Sequence, residues 1–279
     1  MPGLNGRPKT ALVLGAGGLK GWAHVGALKV LHEASVPIDL IVGASAGALI
    51  GPLYAAEKDA VQMERIAGGA TPLGLLEWLC GGLRISDKGG SFSRSLWQSY
   101  GRLSFDELAI PFAAVSLDIS SGKPVALRSG SVASAVEASI RPPVLMSPIS
   151  VEGGYLVDGG IHNTVPIAVA HALGAERVIA VSVGEFFQLP PSLRPLSART
   201  ASVFRRREGQ PHDLRGQVAF MAGLLARGRA QRPQPDVLIR PNLRGFRSFV
   251  PIQMRERVRR GEIAARRALP AIRATLNCG

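Results

Sequence analysis

A serine between two glycines is the first feature of this sequence that could do chemistry. Ser45 stands in the pattern Gly43-Ala-Ser-Ala-Gly47, after an apolar run at 38–42 that predicts a buried strand and before a predicted helix at 48–56. G-x-S-x-G between a strand and a helix is typical of a nucleophile elbow, whose small residues leave the hydroxyl exposed near the positive end of the helix. The pattern favours Ser45 as a nucleophile; the alternative is a turn of small residues that only lets a helix pack on a sheet.

A glycine-rich segment from Gly15 to Gly21 follows a predicted strand at 10–14. Glycines at a helix start present unpaired backbone N–H groups to an anion. That anion could be a dinucleotide pyrophosphate, a nucleotide phosphate or the oxyanion of an acyl-transfer intermediate. The dinucleotide pattern fails because Lys20 occupies its last glycine position, and the chain has no Gly-Lys-Ser/Thr for a P-loop. A nucleophile elbow one crossover later favours the oxyanion.

An acidic residue at the end of another predicted strand, 151–157, could take the proton of the serine. Asp158 precedes Gly159 and Gly160, and two glycines allow a close approach to another backbone. The alternative is an aspartate that only forms a turn.

None of the histidines has a spacing that marks it as the base of a conventional triad, whose order along the chain is Ser, Asp, His. His24 lies on the predicted first helix, where we expect it to pack or to support the glycine segment, and we expect His162 to be structural. His171 falls in a predicted amphipathic helix and His212 in an arginine-rich segment. A triad that contains histidine is therefore disfavoured.

The elements that must position these residues alternate between strand and helix, which predicts a parallel sheet with helical crossovers. Apolar runs predict strands at 10–14, 38–42, 111–117, 124–128, 177–183 and 237–240, and the segment 151–157, with two glycines inside it, predicts a hairpin or a bent strand. Periodicity and capping residues predict helices at 22–35, 48–56, 131–139, 165–173, 213–228 and 253–269. The interval 57–110 is predicted to be mainly helical.

Positive charge is concentrated in the last third of the chain, which carries the whole net charge of +13. Residues 1–184 hold 14 basic and 14 acidic side chains, whereas residues 185–279 hold 19 arginines and 6 acids. We therefore predict a core at 8–184 and an Arg-rich C-terminal region at 185–279. In that region a linker at about 187–212 precedes a helix, a strand and a long basic helix that pack on the core.

The basic region has three interpretations. It suits peripheral contact with an anionic membrane. A coding bias towards arginine explains it without any function, since the chain has 27 arginines and 6 lysines. Nucleic acid is not an expected partner, because only 5% of residues are aromatic and no nucleic-acid-binding fold signature is present.

Composition excludes several other classes of protein. With 46% hydrophobic and 19% charged residues, the chain can build a packed core, and disorder over most of its length is excluded. Cys80 and Cys278 are too few for a disulfide framework or a four-cysteine zinc site. The longest uncharged stretch, 40–56, is interrupted by glycine and proline, and we expect neither a membrane span nor a secretory signal. These features predict a cytoplasmic protein, with peripheral contact at the inner membrane face as a further expectation.

Together, the segments resemble the patatin-like phospholipases, in particular the bacterial branch related to the catalytic domain of neuropathy target esterase. The three ordered motifs at 15–21, 43–47 and 158–160 carry the resemblance. Longer strings are similar as well, at 12–26, 106–111, 156–163, 174–181 and 235–241. The resemblance covers most of 10–184 and, more loosely, 235–276.

The resemblance implies a three-layer α/β/α fold with a mostly parallel central sheet, and a site that needs no metal and no organic cofactor. Ser45 would be the nucleophile and Asp158 the general base of a Ser-Asp dyad. The backbone N–H groups of Gly17 and Gly18 would form the oxyanion hole, supported by Lys20. The other motif glycines would have supporting roles: Gly15, Gly21, Gly43, Gly47, Gly159 and Gly160.

The implied activity is hydrolysis of lipid acyl esters through an acyl-enzyme, as a phospholipase A, a lysophospholipase or a lipid esterase. The alternative is a lipid- or protein-binding module with a decayed site. Two residues depart from the family pattern. Ala16 replaces a common glycine and resists a positive φ, and Arg141 stands where the family has small apolar residues, so it could alter the acyl pocket.

Overall fold

The computed structural model describes most of the chain between residues 7 and 277. Described are residues 7–57, 62–63, 66, 71, 73–74, 77–78, 81, 84–142, 146–151, 154–161, 163–184, 233–246 and 253–277. Several predictions lie outside the described residues: the linker at 187–212, the helix at 213–228, and everything said of Cys80, Cys278, His162 and His212.

Within the described ranges, eight strands and six α-helices position the site. The strands are β1 (Thr10–Leu14), β2 (Leu40–Ala44), β3 (Phe112–Asp118), β4 (Lys123–Leu127), β5 (Ile149–Val151), β6 (Gly154–Asp158), β7 (Arg177–Val181) and β8 (Val237–Ile239). The helices are α1 (Trp22–Glu33), α2 (Ala46–Glu57), α3 (Ser91–Leu96), α4 (Val132–Ser139), α5 (Ile167–Ala172) and α6 (Met254–Asn277). Short 3₁₀ turns span Gly18–Gly21, Phe105–Glu107 and Gly159–Ile161.

Most predicted elements exist, but some bounds are wrong. β2 lies two residues later than the predicted 38–42, and α2 begins at Ala46, directly after Ser45, rather than at 48. The helix predicted at 253–269 ends at Asn277 and contains Pro270, which would normally break a helix. Burial of Ile272 anchors the helix beyond this proline, and a hydrogen bond of 2.9 Å from the Arg177 guanidinium to the Leu276 carbonyl holds its last turn.

The sheet has the order β5-β6-β3-β2-β1-β7-β8, and β4 pairs with β3 outside this path. Strands β3, β2, β1, β7 and β8 are parallel, whereas the pairs β3–β4, β3–β6 and β5–β6 are antiparallel. The sheet is therefore mixed, with its parallel part in the middle and at the β8 edge. Register places Gly43, Leu14, Val181 and Ile239 in one row, so the carboxyl ends of four parallel strands meet at one edge.

Both faces of the sheet are covered, because successive residues of a strand point to opposite sides. Leu12 and Leu14 of β1 pack into the core that includes α1, α2 and α6. Ala11 and Val13 pack into a second, smaller core that includes α5. This arrangement confirms the predicted three-layer α/β/α fold. Among the described residues, no helix is long and apolar enough to cross a membrane.

Helices α1 and α6 approach each other closely through a glycine on each helix. A Cβ atom at Gly26 would collide with the carbonyl oxygen of Val258, and one at Gly261 would collide with the carbonyl oxygen of Ala23. Beside this contact, an ion pair joins Lys29 and Glu262 at 3.2 Å. The backbones of α6 and α1 therefore touch at these two glycines, with no side chain between them.

We expect Gly261→Ala to lower the melting temperature by several degrees. In an open helix this change would stabilise by about 1 kcal/mol, but here the new methyl group meets backbone that cannot move aside, and overpacking costs about 1–3 kcal/mol. Thermal unfolding followed by circular dichroism measures the shift. As a control, Ala274→Val enlarges an exposed side chain of the same helix and should leave the melting temperature nearly unchanged. A Gly261→Ala variant as stable as the wild type would contradict the close approach.

Candidate active site

Ser45 lies between β2 and α2 in the left-handed region, with a φ of 52°. Such a conformation costs a non-glycine residue of order 1 kcal/mol or more, and it is common at functional turns. A Cβ at Gly43 would overlap the backbone of Gly47, and a Cβ at Gly47 would collide with the carbonyl of Leu14. The two glycines are therefore required for the turn. The motif predicted an exposed hydroxyl, but Ser45 is only 4% exposed, so its side chain lies in the protein interior.

A second serine, Ser139, holds this turn in place; the sequence predicts it only as the end of a helix. The backbone N–H of Ser45 donates to the hydroxyl of Ser139 at 3.0 Å, and that hydroxyl donates to the carbonyl of Val115 at 2.6 Å. Ser139 is fully buried. It follows Val132 by seven residues, so it falls on the apolar face of α4. A lone hydroxyl on an apolar helix face is the sequence signal that could have identified it.

Asp158 meets Ser45 across β3, because Asp158 at the end of β6 pairs with Ser116 and Ala44 at the end of β2 pairs with Val115. The Ser45 hydroxyl donates to Oδ2 of Asp158 at 2.7 Å, between residues 113 positions apart in the chain. The other carboxylate oxygen, Oδ1, accepts the N–H of Gly160 at 2.8 Å. A Cβ at Gly159 would collide with the carbonyl of Val115. The two glycines after Asp158 thus bring the carboxylate against the backbone and hold one of its oxygens.

Burial changes the acidity of this carboxyl group. Asp158 is completely inaccessible, and burial raises its pKa to about 7, against the opposing effect of hydrogen bonds from Ser45 and Gly160. An ordinary aspartate is a poor base, because its pKa lies near 4. A carboxylate with a pKa near neutral pH is matched to proton transfer from a hydroxyl.

Two backbone donors of the glycine segment have no partner in the described part of the chain. The N–H groups of Gly15 and Ala16 are bound to the carbonyls of Val181 and Thr164, at 3.0 and 2.7 Å. Neither Gly17 nor Gly18 donates its backbone N–H to any residue that the structure describes. Gly18 has a φ of 55°.

The other glycines of this segment and its alanine are closely packed. A Cβ at Gly15 would crowd the carbonyl of Thr164 at 2.9 Å, and one at Gly21 would collide with the Cβ of Ala46. Ala16 does not adopt a positive φ, so the expected penalty for alanine at this position is absent. The Ala16 side chain instead fills the space against Gly160.

His24 supports the glycine segment rather than acting as a base. Its Nε2 lies 2.8 Å from the carbonyl oxygen of Gly15, and burial lowers its pKa to about 4. The ring is therefore neutral at neutral pH, and Nε2 must carry the proton that it donates to the carbonyl. His171, on α5, lies outside this segment: its Nδ1 is 3.0 Å from the carbonyl oxygen of Ala175.

Two basic residues lie beside the site. The ammonium group of Lys20 is near Gly184, at 4.0 Å from the Cβ position built on that glycine. Its support of an oxyanion stays a prediction. The guanidinium of Arg141 donates to the carbonyl of Ser147 at 3.2 Å, and the Arg141 carbonyl accepts the N–H of Asp158 at 2.8 Å. Among the described residues, no group of three or more His, Cys, Asp or Glu side chains could hold a metal ion.

The geometry provides a hydroxyl paired with a buried carboxylate and, on the neighbouring loop, two N–H groups that have no partner among the described residues. A carboxylate whose folded pKa is raised from 3.8 to about 7 loses stability as the pH rises between those values, by about 1.4 kcal/mol per pH unit. Asp158→Asn removes that loss, because the amide keeps an acceptor for Gly160 and can donate to Ser45.

We therefore expect the Asp158→Asn variant to melt higher than the wild type at pH 8, with the difference shrinking as the pH is lowered towards 5. Melting temperatures of both proteins across this pH range test it, with Asp106→Asn as a control at an exposed carboxylate. A difference that does not depend on pH would contradict the raised pKa.

Comparison with known proteins identifies the family to which this fold belongs. The family model described as patatin-like phospholipase matches residues 12–171. Patatin-like phospholipase domain-containing protein 6 of Mus musculus is 35% identical over 189 residues, which are 62% of this chain and 13% of that protein. Lysophospholipase nte1 of Aspergillus fumigatus is 34% identical over 187 residues, 65% of this chain and 12% of that protein. An uncharacterised NTE family protein of Mycobacterium bovis is 33% identical over 181 residues, 63% of this chain and 49% of that protein.

A solved structure gives the same fold. The crystal structure of VipD from Legionella pneumophila superposes with a TM-score of 0.54 at 15% identity, over 95% of this chain and 67% of that one. The chain spans about an eighth of the mouse relative's length, so the activity of that whole protein does not transfer with the alignment. The family match, however, extends over more than half of this chain and contains both Ser45 and Asp158. We conclude that this chain belongs to the patatin-like phospholipase family.

Proposed function

We propose that this protein is a serine hydrolase that cleaves acyl ester bonds of lipids with a Ser45–Asp158 dyad. The observation that carries the proposal is the 2.7 Å hydrogen bond from the strained Ser45 to a fully buried carboxylate. A turn of small residues that served only packing would need neither the buried acid nor the two N–H groups that are left without a partner in the described ranges. The family, and the names of two relatives as a phospholipase-domain protein and a lysophospholipase, support a lipid ester as substrate.

The first half of the reaction forms an acyl-enzyme. Oδ2 of Asp158 takes the proton of the Ser45 hydroxyl while Oγ attacks the ester carbonyl carbon. The carbonyl oxygen becomes an oxyanion, which the N–H groups of Gly17 and Gly18 stabilise; one such donor is worth about 3–4 kcal/mol of barrier. Asp158 then gives its proton to the departing alcohol oxygen as the bond from the carbonyl carbon to that oxygen breaks.

The second half returns the enzyme to its starting state. A water molecule loses a proton to Asp158 and attacks the acyl carbon, and the same proton restores the Ser45 hydroxyl when the fatty acid leaves. Because Asp158 must begin each half as a carboxylate, turnover should rise with pH through the region near 7 where it ionises. Gly160 holds Oδ1, so Oδ2 is the oxygen that exchanges protons.

Labelling of the purified protein with a fluorophosphonate tests the activated serine. We expect the label on Ser45, faster at pH 8 than at pH 6, and located there by mass spectrometry. Ser45→Ala and Asp158→Asn should each abolish both the labelling and the hydrolysis of a lysophospholipid. His162→Ala should keep most of the activity, because the dyad needs no histidine.

Two results would count against this proposal. A folded His162→Ala variant without activity would favour a triad. Absence of any label on the wild type, in buffer and with detergent or vesicles, would favour the binding module with a decayed site.

We also propose that the Arg-rich region at 185–279 holds the catalytic core on anionic lipid, at the inner face of the membrane. In the described part of this region, Arg255, Arg259, Arg266 and Arg273 recur at intervals of 4, 7 and 7 residues, which places them within one exposed stripe of α6. Arg259 pairs with Glu256 and Arg266 pairs with Glu33. The four side chains are exposed, although the stripe borders the contact with α1, where Arg266 meets Glu33.

Cosedimentation with vesicles tests the membrane contact. We expect binding to vesicles that contain phosphatidylglycerol, weaker binding to pure phosphatidylcholine, and release by salt. Arg255→Gln with Arg273→Gln should weaken binding roughly tenfold or more, since each basic residue contributes about 1 kcal/mol. Arg128→Gln is the matched control, because this exposed arginine lies outside the region. Binding that ignores salt and lipid charge would exclude the electrostatic contact.

A further inference from the structure

A cavity lies next to the glycine segment, and neither Ser45 nor Asp158 lines it. It has a volume of about 790 Å³. Its lining includes Lys20 of the glycine segment, Ser182 and Val183 after β7, and Arg240 and Arg244 after β8. The function proposed above gives this cavity no role.

The cavity opens at the same edge of the sheet as the dyad. Gly43, Leu14, Val181 and Ile239 form one row across β2, β1, β7 and β8, and Arg240 follows the last of them. Ligands of open parallel sheets bind at this carboxyl edge. From β2 to β8 there are three strand spacings of about 4.8 Å, so the backbones of the Ser45 turn and of Arg240 are separated by roughly 14 Å. The glycine segment after β1 lies between them.

The charged side chains that line the cavity in the described part of the chain are all positive. Three cationic side chains line it, those of Lys20, Arg240 and Arg244, and no acidic residue does so in the part of the chain that the structure describes. None of the three forms an ion pair with a described residue. The side-chain oxygen of Asn163 accepts the N–H of Val165 at 3.2 Å, which leaves its amide N–H groups available as donors. Such a set of donors fits the oxygens of a phosphate.

The cavity also has an apolar side. Val183 is buried in its wall, and a Cβ at Gly17 would collide with this valine, so the wall of the cavity is also the support of the glycine segment. Leu238 is 38% exposed, an unusual exposure for a large apolar side chain here, and it points to the same side of β8 as Arg240. Cations beside exposed apolar surface match a ligand that is itself amphiphilic.

We propose that this cavity is a phosphate subsite, in which Arg240 and Arg244 hold the headgroup phosphate of a glycerophospholipid whose acyl ester lies at Ser45. The inference rests on the proposed hydrolase activity and deepens it: it makes a phosphate-bearing lipid the preferred substrate over a neutral ester. Lys20 lies between the two places, in the segment that would bind the oxyanion. Arginine suits the end of the cavity away from Ser45, because its planar guanidinium group binds a phosphate through two N–H donors.

The test compares two substrates that share an acyl chain and differ in the phosphate. The purified full chain is assayed with 1-palmitoyl-glycerophosphocholine and with 1-palmitoylglycerol. In Arg240→Gln/Arg244→Gln we expect the ratio of kcat/KM values, phospholipid over neutral ester, to fall at least tenfold, mainly through KM for the phospholipid. Arg128→Gln, at an exposed arginine by the opposite edge of the sheet, should keep the wild-type ratio. Lys20 is left unchanged, because it belongs to the glycine segment.

A second arm identifies the source of the phosphate. Glycerophosphocholine should inhibit the hydrolysis of 1-palmitoylglycerol at a concentration at least tenfold below that of inorganic phosphate, and the double variant should lose this inhibition. Inorganic phosphate that inhibits as strongly would overturn the headgroup assignment in favour of a site for free phosphate.

The outcomes separate this inference from the proposed function. Hydrolysis of 1-palmitoylglycerol that depends on Ser45, together with a substrate ratio unchanged in the double variant, would overturn the subsite alone. A wild type that hydrolyses neither ester would instead remove the proposed function, and the subsite with it.

Discussion

The burial of one carboxylate, that of Asp158, is the constraint on which the rest of the site depends. A charge removed from water is costly unless polar groups surround it, and here the groups recorded around it are the Ser45 hydroxyl and the Gly160 N–H. This sparse solvation raises the pKa to about 7, so the same burial that costs stability at high pH makes the group a suitable base near neutral pH. The strained φ of Ser45 and the hydrogen bond from its backbone N–H to the Ser139 hydroxyl hold the Ser45 hydroxyl at this carboxylate.

Small residues make this meeting sterically feasible. The turn after β2 and the turn after β6 both carry glycines whose Cβ atoms would collide with neighbouring backbone. The same device recurs where α1 meets α6, far from the chemistry, because helices that bury a broad apolar face also need a close approach. Glycine in this chain therefore serves packing as much as conformational freedom, and a motif glycine is by itself weak evidence of catalysis.

The C-terminal segments are part of the architecture and not an appendage to it. β8 extends the parallel sheet, and α6 covers α1. This places two kinds of positive charge on the molecule: the exposed stripe of α6, and the arginines after β8 at the edge where the dyad lies. We assign the α6 stripe to the membrane surface and the arginines after β8 to a single lipid headgroup. A coding bias that only raises the number of arginines would not by itself produce either arrangement.

The sequence by itself determined the alternation of strands and helices, the G-x-S-x-G turn and the identity of Ser45 and Asp158 as candidates, because these are local patterns: continuous apolar runs, helical periodicity and fixed turn chemistry. It placed β2 two residues early and ended α6 too soon, since register and a proline inside a packed helix are decided by contacts with other elements. Only the tertiary structure brought Asp158 to Ser45 across 113 positions, exposed the role of Ser139, and gathered Lys20, Arg240 and Arg244 around one cavity. Those relations depend on sheet order and on burial, and neither leaves a periodic signal in the chain.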